Sequence, residues 1–128
     1  MNTLPDNKKD FILYTDANGN VKVEVFLQDE TLWLTQKAMA ELFGTSKSTI
    51  SEHLTNIFNS GELQKEATVR KIRIVQNEGN RQVTRNLVFY NLDAIIAVGY
   101  RVNSKQATQF RIWATKGASK LLENNYTN

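Results

Sequence analysis

The chain has 128 residues, of which 41% are hydrophobic and 23% charged, the make-up of one globular domain rather than of a disordered segment. It holds no cysteine and one histidine, His53, which excludes disulfides, thiolate catalysis, thiolate-bound zinc, poly-histidine metal sites and paired-histidine chemistry. No apolar run is long enough to span a membrane, and the opening MNTLPDNKKDF lacks the apolar core of a signal peptide, so a soluble cytoplasmic protein is expected.

The net charge of +3 is unevenly spread. Residues 1–34 carry three Lys against six Asp or Glu, residues 35–69 three against four, residues 70–90 five Lys or Arg against Glu78 alone, and residues 91–128 five against two. An acidic front and a basic rear often mark a surface for a polyanion, and scattered bases on a solvated strand are the plain alternative.

In chain order, residues 1–9 read as a flexible N-terminus and Phe11–Thr15 as a strand. Asn18-Gly19 supplies a tight turn, and Val21, Val23, Val25 and Leu27 alternate with polar residues and Phe26 as a second strand. Asp29-Glu30-Thr31 turns the chain into the short extended piece Leu32-Trp33-Leu34, with the Trp33 ring expected in the core. Thr35 can cap a helix that stops at Gly44, and Ser46 can cap a second helix from Lys47 to about Phe58, with Gly61 just beyond. Arg70–Val75 and Arg81–Tyr90 flank Asn77-Glu78-Gly79-Asn80 as a second hairpin, with Ile72 and Ile74 on one side and Lys71 and Arg73 on the other. Asn91 can cap Leu92–Val102, and Ser104 can cap Lys105 to about Leu122, where Phe110, Trp113, Ala114, Gly117 and Leu121 recur at helical spacing. Residues 10–122 form a single domain on this reading, and residues 123–128 a frayed tail.

The two short helices fit a helix-turn-helix. Ala40 is the small residue that lets the second helix cross closely, Gly44 the turn residue, and Ile50 the inward apolar residue of the second helix, with Met39, Phe43 and Leu54 completing the contacts. Ile50, Leu54, Ile57 and Phe58 form one apolar stripe, and short hydroxyl and amide side chains cover the rest. Such side chains let a helix approach base edges or phosphates, and the hairpin that follows reads as a wing. The expected DNA-contacting residues are Gln36, Ser46, Lys47, Ser48, Thr49, Ser51, Glu52 and Thr55 from the helices, and Arg70, Lys71, Arg73, Arg81 and Arg85 from the hairpin. Glu52 has a plain alternative as a solvated charge, and the second helix holds no Arg for the common contact to guanine.

Other conspicuous residues read as structural. His53 sits beside the apolar stripe, Asp93 complements a helix N-terminus, Gly99 and Gly117 permit close helix packing, and Arg101, Lys105, Arg111, Lys116 and Lys120 form a solvated face. No catalytic residue, metal site, cofactor or small-molecule substrate is expected.

Tyr90–Val102 with its continuation Asn103–Ala114 strongly resembles the virulence RhuM family, as do Leu32-Trp33-Leu34-Thr35-Gln36, Met39–Phe43, Ile57-Phe58 and Gly61-Glu62-Leu63. The resemblance implies a bacterial or mobile-element protein of the kind described as DNA-binding, and either the N-terminal domain of a longer protein or a short family member. Phe110-Arg111-Ile112-Trp113 is also similar to a helix of phage antirepressor-type N-terminal domains, which implies a protein-binding alternative. The combined expectation is an α+β winged helix-turn-helix with an N-terminal β-hairpin and two C-terminal helices. Its expected partner is double-stranded DNA, bound as a homodimer in a regulatory role.

Overall fold

The computed structural model describes residues 11–16 and 18–117; the segments read as termini, 1–9 and 123–128, and the expected helix end at 118–122 lie outside them. Strands β1 (Phe11–Thr15), β2 (Lys22–Gln28) and β3 (Thr31–Leu34) lead into helices α1 (Gln36–Phe43) and α2 (Lys47–Asn59). A one-turn helix, α3 (Lys65–Thr68), precedes β4 (Val69–Glu78) and β5 (Arg81–Asn91), and α4 (Leu92–Val102) and α5 (Lys105–Ile112) follow. The five strands form one antiparallel sheet in the order β1-β2-β3-β5-β4, so the fold is mixed α+β.

Helix starts are set by local capping. The side chains of Thr35, Ser46, Asn91 and Ser104 accept from the backbone N–H groups of Ala38, Thr49, Ala94 and Ala107, as their sequence positions predict. Helix α1 ends at Gly44, whose φ of 69° places it in the left-handed region. Gly44→Ala is therefore expected to lower stability by about 1 kcal/mol or somewhat more, read from a urea midpoint; an unchanged midpoint would refute the cap. Gly99 behaves differently. A Cβ there would meet Ala107 Cβ and Phe43 Cζ at 3.5 Å, ordinary contact, so the close packing of α4 leaves room for a methyl group.

Three local expectations change. The β1–β2 connection is not a two-residue Asn-Gly turn: β1 and β2 pair from Thr15↔Lys22, and among the described intervening residues only Gly19 takes positive φ. The Asp16 carboxylate accepts from the Asn20 and Val21 N–H groups, and this closes the wider loop. The tight two-residue turn falls instead at Asp29-Glu30, both at positive φ. The terminal helix does not run on as an α-helix, because at Trp113–Gly117 it becomes a π-helical turn. There the Thr115 hydroxyl donates to the carbonyls of Arg111 and Ile112 and competes with regular backbone pairing.

The main core lies on one face of the sheet. Tyr14, Val23, Val25, Leu27, Leu32, Leu34 and Tyr90 meet Met39, Phe43, Ile50, Leu54, Ile57, Ile95, Val98 and Phe110 from the helices. The opposite face carries a second, smaller cluster that the sequence reading lacked. Phe26, Trp33, Ile74 and Phe89 are buried there, bordered by Phe11, Ile72 and Leu87. Phe26 lies 4.9 Å from the Phe11 ring and 5.4 Å from the Phe89 ring, so the β4–β5 hairpin is packed against the outer face of β1–β2. Trp33 is buried as expected, but in this cluster rather than among the helices.

Candidate nucleic-acid interface

The α1–α2 unit packs through Ala40, Met39 and Phe43 on one side and Ile50, Leu54 and Ile57 on the other, all buried in the main core. This packing turns the remaining surface of α2 outward. Ser46, Lys47, Ser48, Ser51, Glu52 and Thr55 are exposed, as are Asn56 and Asn59, while Thr49 and His53 are half-buried. The Ser46 hydroxyl donates to Thr49 Oγ1 at 2.9 Å and lies 3.1 Å from Ser48 Oγ, so the helix start presents a joined set of hydroxyls.

A cleft of about 1110 Å³ separates the start of the helices from the β4–β5 hairpin. It exists because β3 is short: β3 meets β5 only at Trp33↔Asn91 and Leu34↔Tyr90, and beyond that point the hairpin leaves the sheet. Gln36 and Lys47 line one wall, and Gln76, Asn77, Asn86 and Val88 line the other. Two further lysines, Lys22 from β2 and Lys37 from α1, border the same cleft and were not among the expected contacts. The pairing of β2 places Lys22 there and the start of α1 places Lys37, and neither carries a local motif that announces it.

The strand register sorts the hairpin's basic residues onto two faces. Lys71 and Arg73 share the face of Val69, whose side chain packs on the main core, so they point to the side that bears the helices. Arg70, Arg81 and Arg85 share the opposite face with Ile72 and Ile74. The Arg70 guanidinium donates to Gln28 Oε1 at 2.6 Å, pairs with the Asp29 carboxylate at 2.5 Å, and lies 4.4 Å from the centre of the Trp33 ring. Arg85 grips the two carboxylate oxygens of Glu78 at 2.7 Å each. Gln36 donates from its amide to the Tyr90 hydroxyl at 2.8 Å. These three expected contact residues therefore have protein partners, whereas Lys47 and Lys71 are exposed with no ion pair among the described residues.

On the helical face of the rear half, Arg101 pairs with Glu62 at 2.8 Å, and the Arg111 guanidinium stacks 4.5 Å from the centre of the Tyr100 ring. Trp113 is half-buried against Tyr14, and Leu121, which recurs with it at helical spacing, lies outside the described residues. Burial raises the Tyr14 phenol above its usual range, with Asp16 adding to the effect. No group of three or more His, Cys, Asp or Glu side chains placed to hold a metal occurs among the described residues, and no helix among them is long and apolar enough to cross a membrane.

Hydrogen bonds from Arg85 hold the Glu78 carboxyl below the usual carboxylate range, and the opposite charge adds to the shift. The folded form thus binds this proton less readily than the unfolded chain. The pair is fully made above the usual carboxylate range and is lost as pH falls through the depressed folded value. In an NMR titration the Arg85 Nε–H resonance should move at a pH below the ordinary Glu midpoint of about 4.3. A midpoint at the ordinary value would show that the pair does not persist in solution.

The virulence protein RhuM family model matches residues 67–127. Over this stretch the chain is similar to the RhuM family. The matched residues span the end of α3, the β4–β5 hairpin, α4 and α5, and include the Tyr90–Ala114 stretch that carries the resemblance. No curated protein and no solved structure matches the chain significantly.

Proposed function

We propose that this chain binds double-stranded DNA as a winged helix-turn-helix domain, with α2 entering the major groove and the β4–β5 hairpin lying along the adjacent backbone. The observation that carries this reading is the exposed hydroxyl and amide face of α2, which begins at Lys47 on the rim of a cleft whose far wall is the hairpin. The hairpin follows α2 in the chain and is paired with β3, the strand that leads into α1, an order that supports reading it as a wing. Lys47 and Lys71, with Arg73, supply phosphate contacts from the helix-bearing side, and Lys22 and Lys37 extend the basic rim. Ser48, Ser51, Thr55 and Asn56 are short enough for direct contact with base edges, which makes the binding sequence-directed and suits a regulatory role.

The test is fluorescence anisotropy on a random 20-base-pair duplex across a potassium chloride series. The logarithm of the binding constant should fall linearly with the logarithm of salt, by about 0.9 per phosphate contacted. Absence of binding at low salt would overturn the reading. The absence of Arg from α2 then favours the alternative, a protein-binding module that uses the same helix face.

A further inference from the structure

We infer that Arg70 is a positioning residue that fixes the direction of the hairpin relative to α2, rather than one of the phosphate contacts. The inference rests on the duplex-DNA reading for its functional consequence, but its structural part stands apart from it. Arg70 sits at the root of β4, opposite Phe89. All of its described partners belong to the β2–β3 hairpin, some 40 residues earlier in the chain: the Gln28 side chain at the end of β2, the Asp29 carboxylate in the turn and the Trp33 ring of β3. That turn has its own internal constraints. Asp29 and Glu30 hold positive φ, and the Trp33 indole N–H donates to the Gln28 carbonyl at 2.9 Å. A planar guanidinium is suited to this arrangement, since one nitrogen, Nη1, reaches both oxygens while the flat group covers an aromatic ring; a lysine ammonium keeps the charge but has no planar face to lay on the ring.

On the other face of the same root, Gln36 donates to the hydroxyl of Tyr90. The hairpin is thus fastened on both faces at the point where it leaves the sheet. The Arg70–Asp29 pair is largely exposed, so it contributes little to global stability. Its loss therefore loosens the root of the hairpin, while the buried Ile74 and Phe89 keep the domain folded.

The chain lacks cysteine, so two spin labels can be placed cleanly, on Asn56→Cys in α2 and Gln82→Cys near the hairpin tip, both exposed positions. Pulsed electron–electron distance measurements should give a narrow distribution in this background and a broader or displaced one when Arg70→Lys or Asp29→Asn is added. Asparagine tolerates positive φ, so the Asp29 variant keeps its turn. The same two substitutions, without labels, are then tested on the duplex. Each should weaken binding on the order of fivefold, about 1 kcal/mol, with no change in the salt slope. The double variant should be no weaker than either single one. Asp29→Asn is decisive, because removing an acid strengthens binding if only net charge matters.

Unaltered distance distributions overturn the inference. So does Asp29→Asn binding as tightly as the unsubstituted chain, or a salt slope lowered by about 0.9 when Arg70→Gln removes the charge, which would mark a lost phosphate contact. If the unsubstituted chain fails to bind the duplex at all, the DNA reading falls, and the distance distributions decide the role of Arg70 by themselves.

Discussion

Replacing Phe110 with alanine is expected to cost about 3–5 kcal/mol, the largest stability loss of any single substitution considered for this chain. Phe110 is almost wholly buried, at 1% exposure, and its ring sits where separate elements meet. It lies 5.1 Å from the Tyr14 ring of β1, 6.3 Å from Phe43 of α1 and 5.4 Å from Trp113 of the π-helical turn. Truncation removes the buried area and also leaves a cavity whose walls come from a strand and two helical segments. Those walls collapse only partly, so the cavity adds to the lost transfer free energy. A domain of this size has only about 5–15 kcal/mol in total, so urea denaturation should show the midpoint falling by a large fraction. Phe110→Leu keeps most of the volume and should cost much less. A loss below about 1 kcal/mol for the alanine variant would show that α5 is not anchored where these ring contacts place it.

The parts of the fold that were legible in the sequence are the local ones. The starts of α1, α2, α4 and α5 each depend on one side chain and an N–H three residues on, so Thr35, Ser46, Asn91 and Ser104 could be read directly. The outward face of α2 follows from the helical period of Ile50, Leu54 and Ile57. The second apolar cluster was not legible, because Phe26 and Phe89 become neighbours only once the hairpin packs on the outer face of the sheet. Alternation separated Lys71 and Arg73 from Ile72 and Ile74, but the side taken by Arg81 and Arg85 depends on the β4–β5 register. The pairing of Arg70 with Asp29 spans some 40 residues, and no local pattern announces it. The same limit hid Lys22 and Lys37, which reach the cleft from separate elements.

The charge reversal Lys47→Glu/Lys71→Glu is expected to weaken duplex binding by roughly two orders of magnitude at low salt and to lower the salt slope by about 1.8. Each lysine stands for one phosphate contact, and the reversal adds repulsion to the loss of attraction. The two residues lie on different elements, Lys47 at the start of α2 and Lys71 on β4, so their effects should nearly add. Both are exposed, so neither substitution disturbs the core, and the urea midpoint should stay within about 0.5 kcal/mol of the unsubstituted chain. Lys105→Glu/Lys116→Glu makes the same change in net charge on exposed residues of α5 and the π-helical turn. If binding senses only the overall charge, the two double variants lose affinity equally. If it uses the α2–hairpin side of the domain, the Lys105/Lys116 variant keeps its salt slope while the Lys47/Lys71 variant does not. Equal slopes would remove the hairpin and the start of α2 from the interface, even for a chain that still binds DNA.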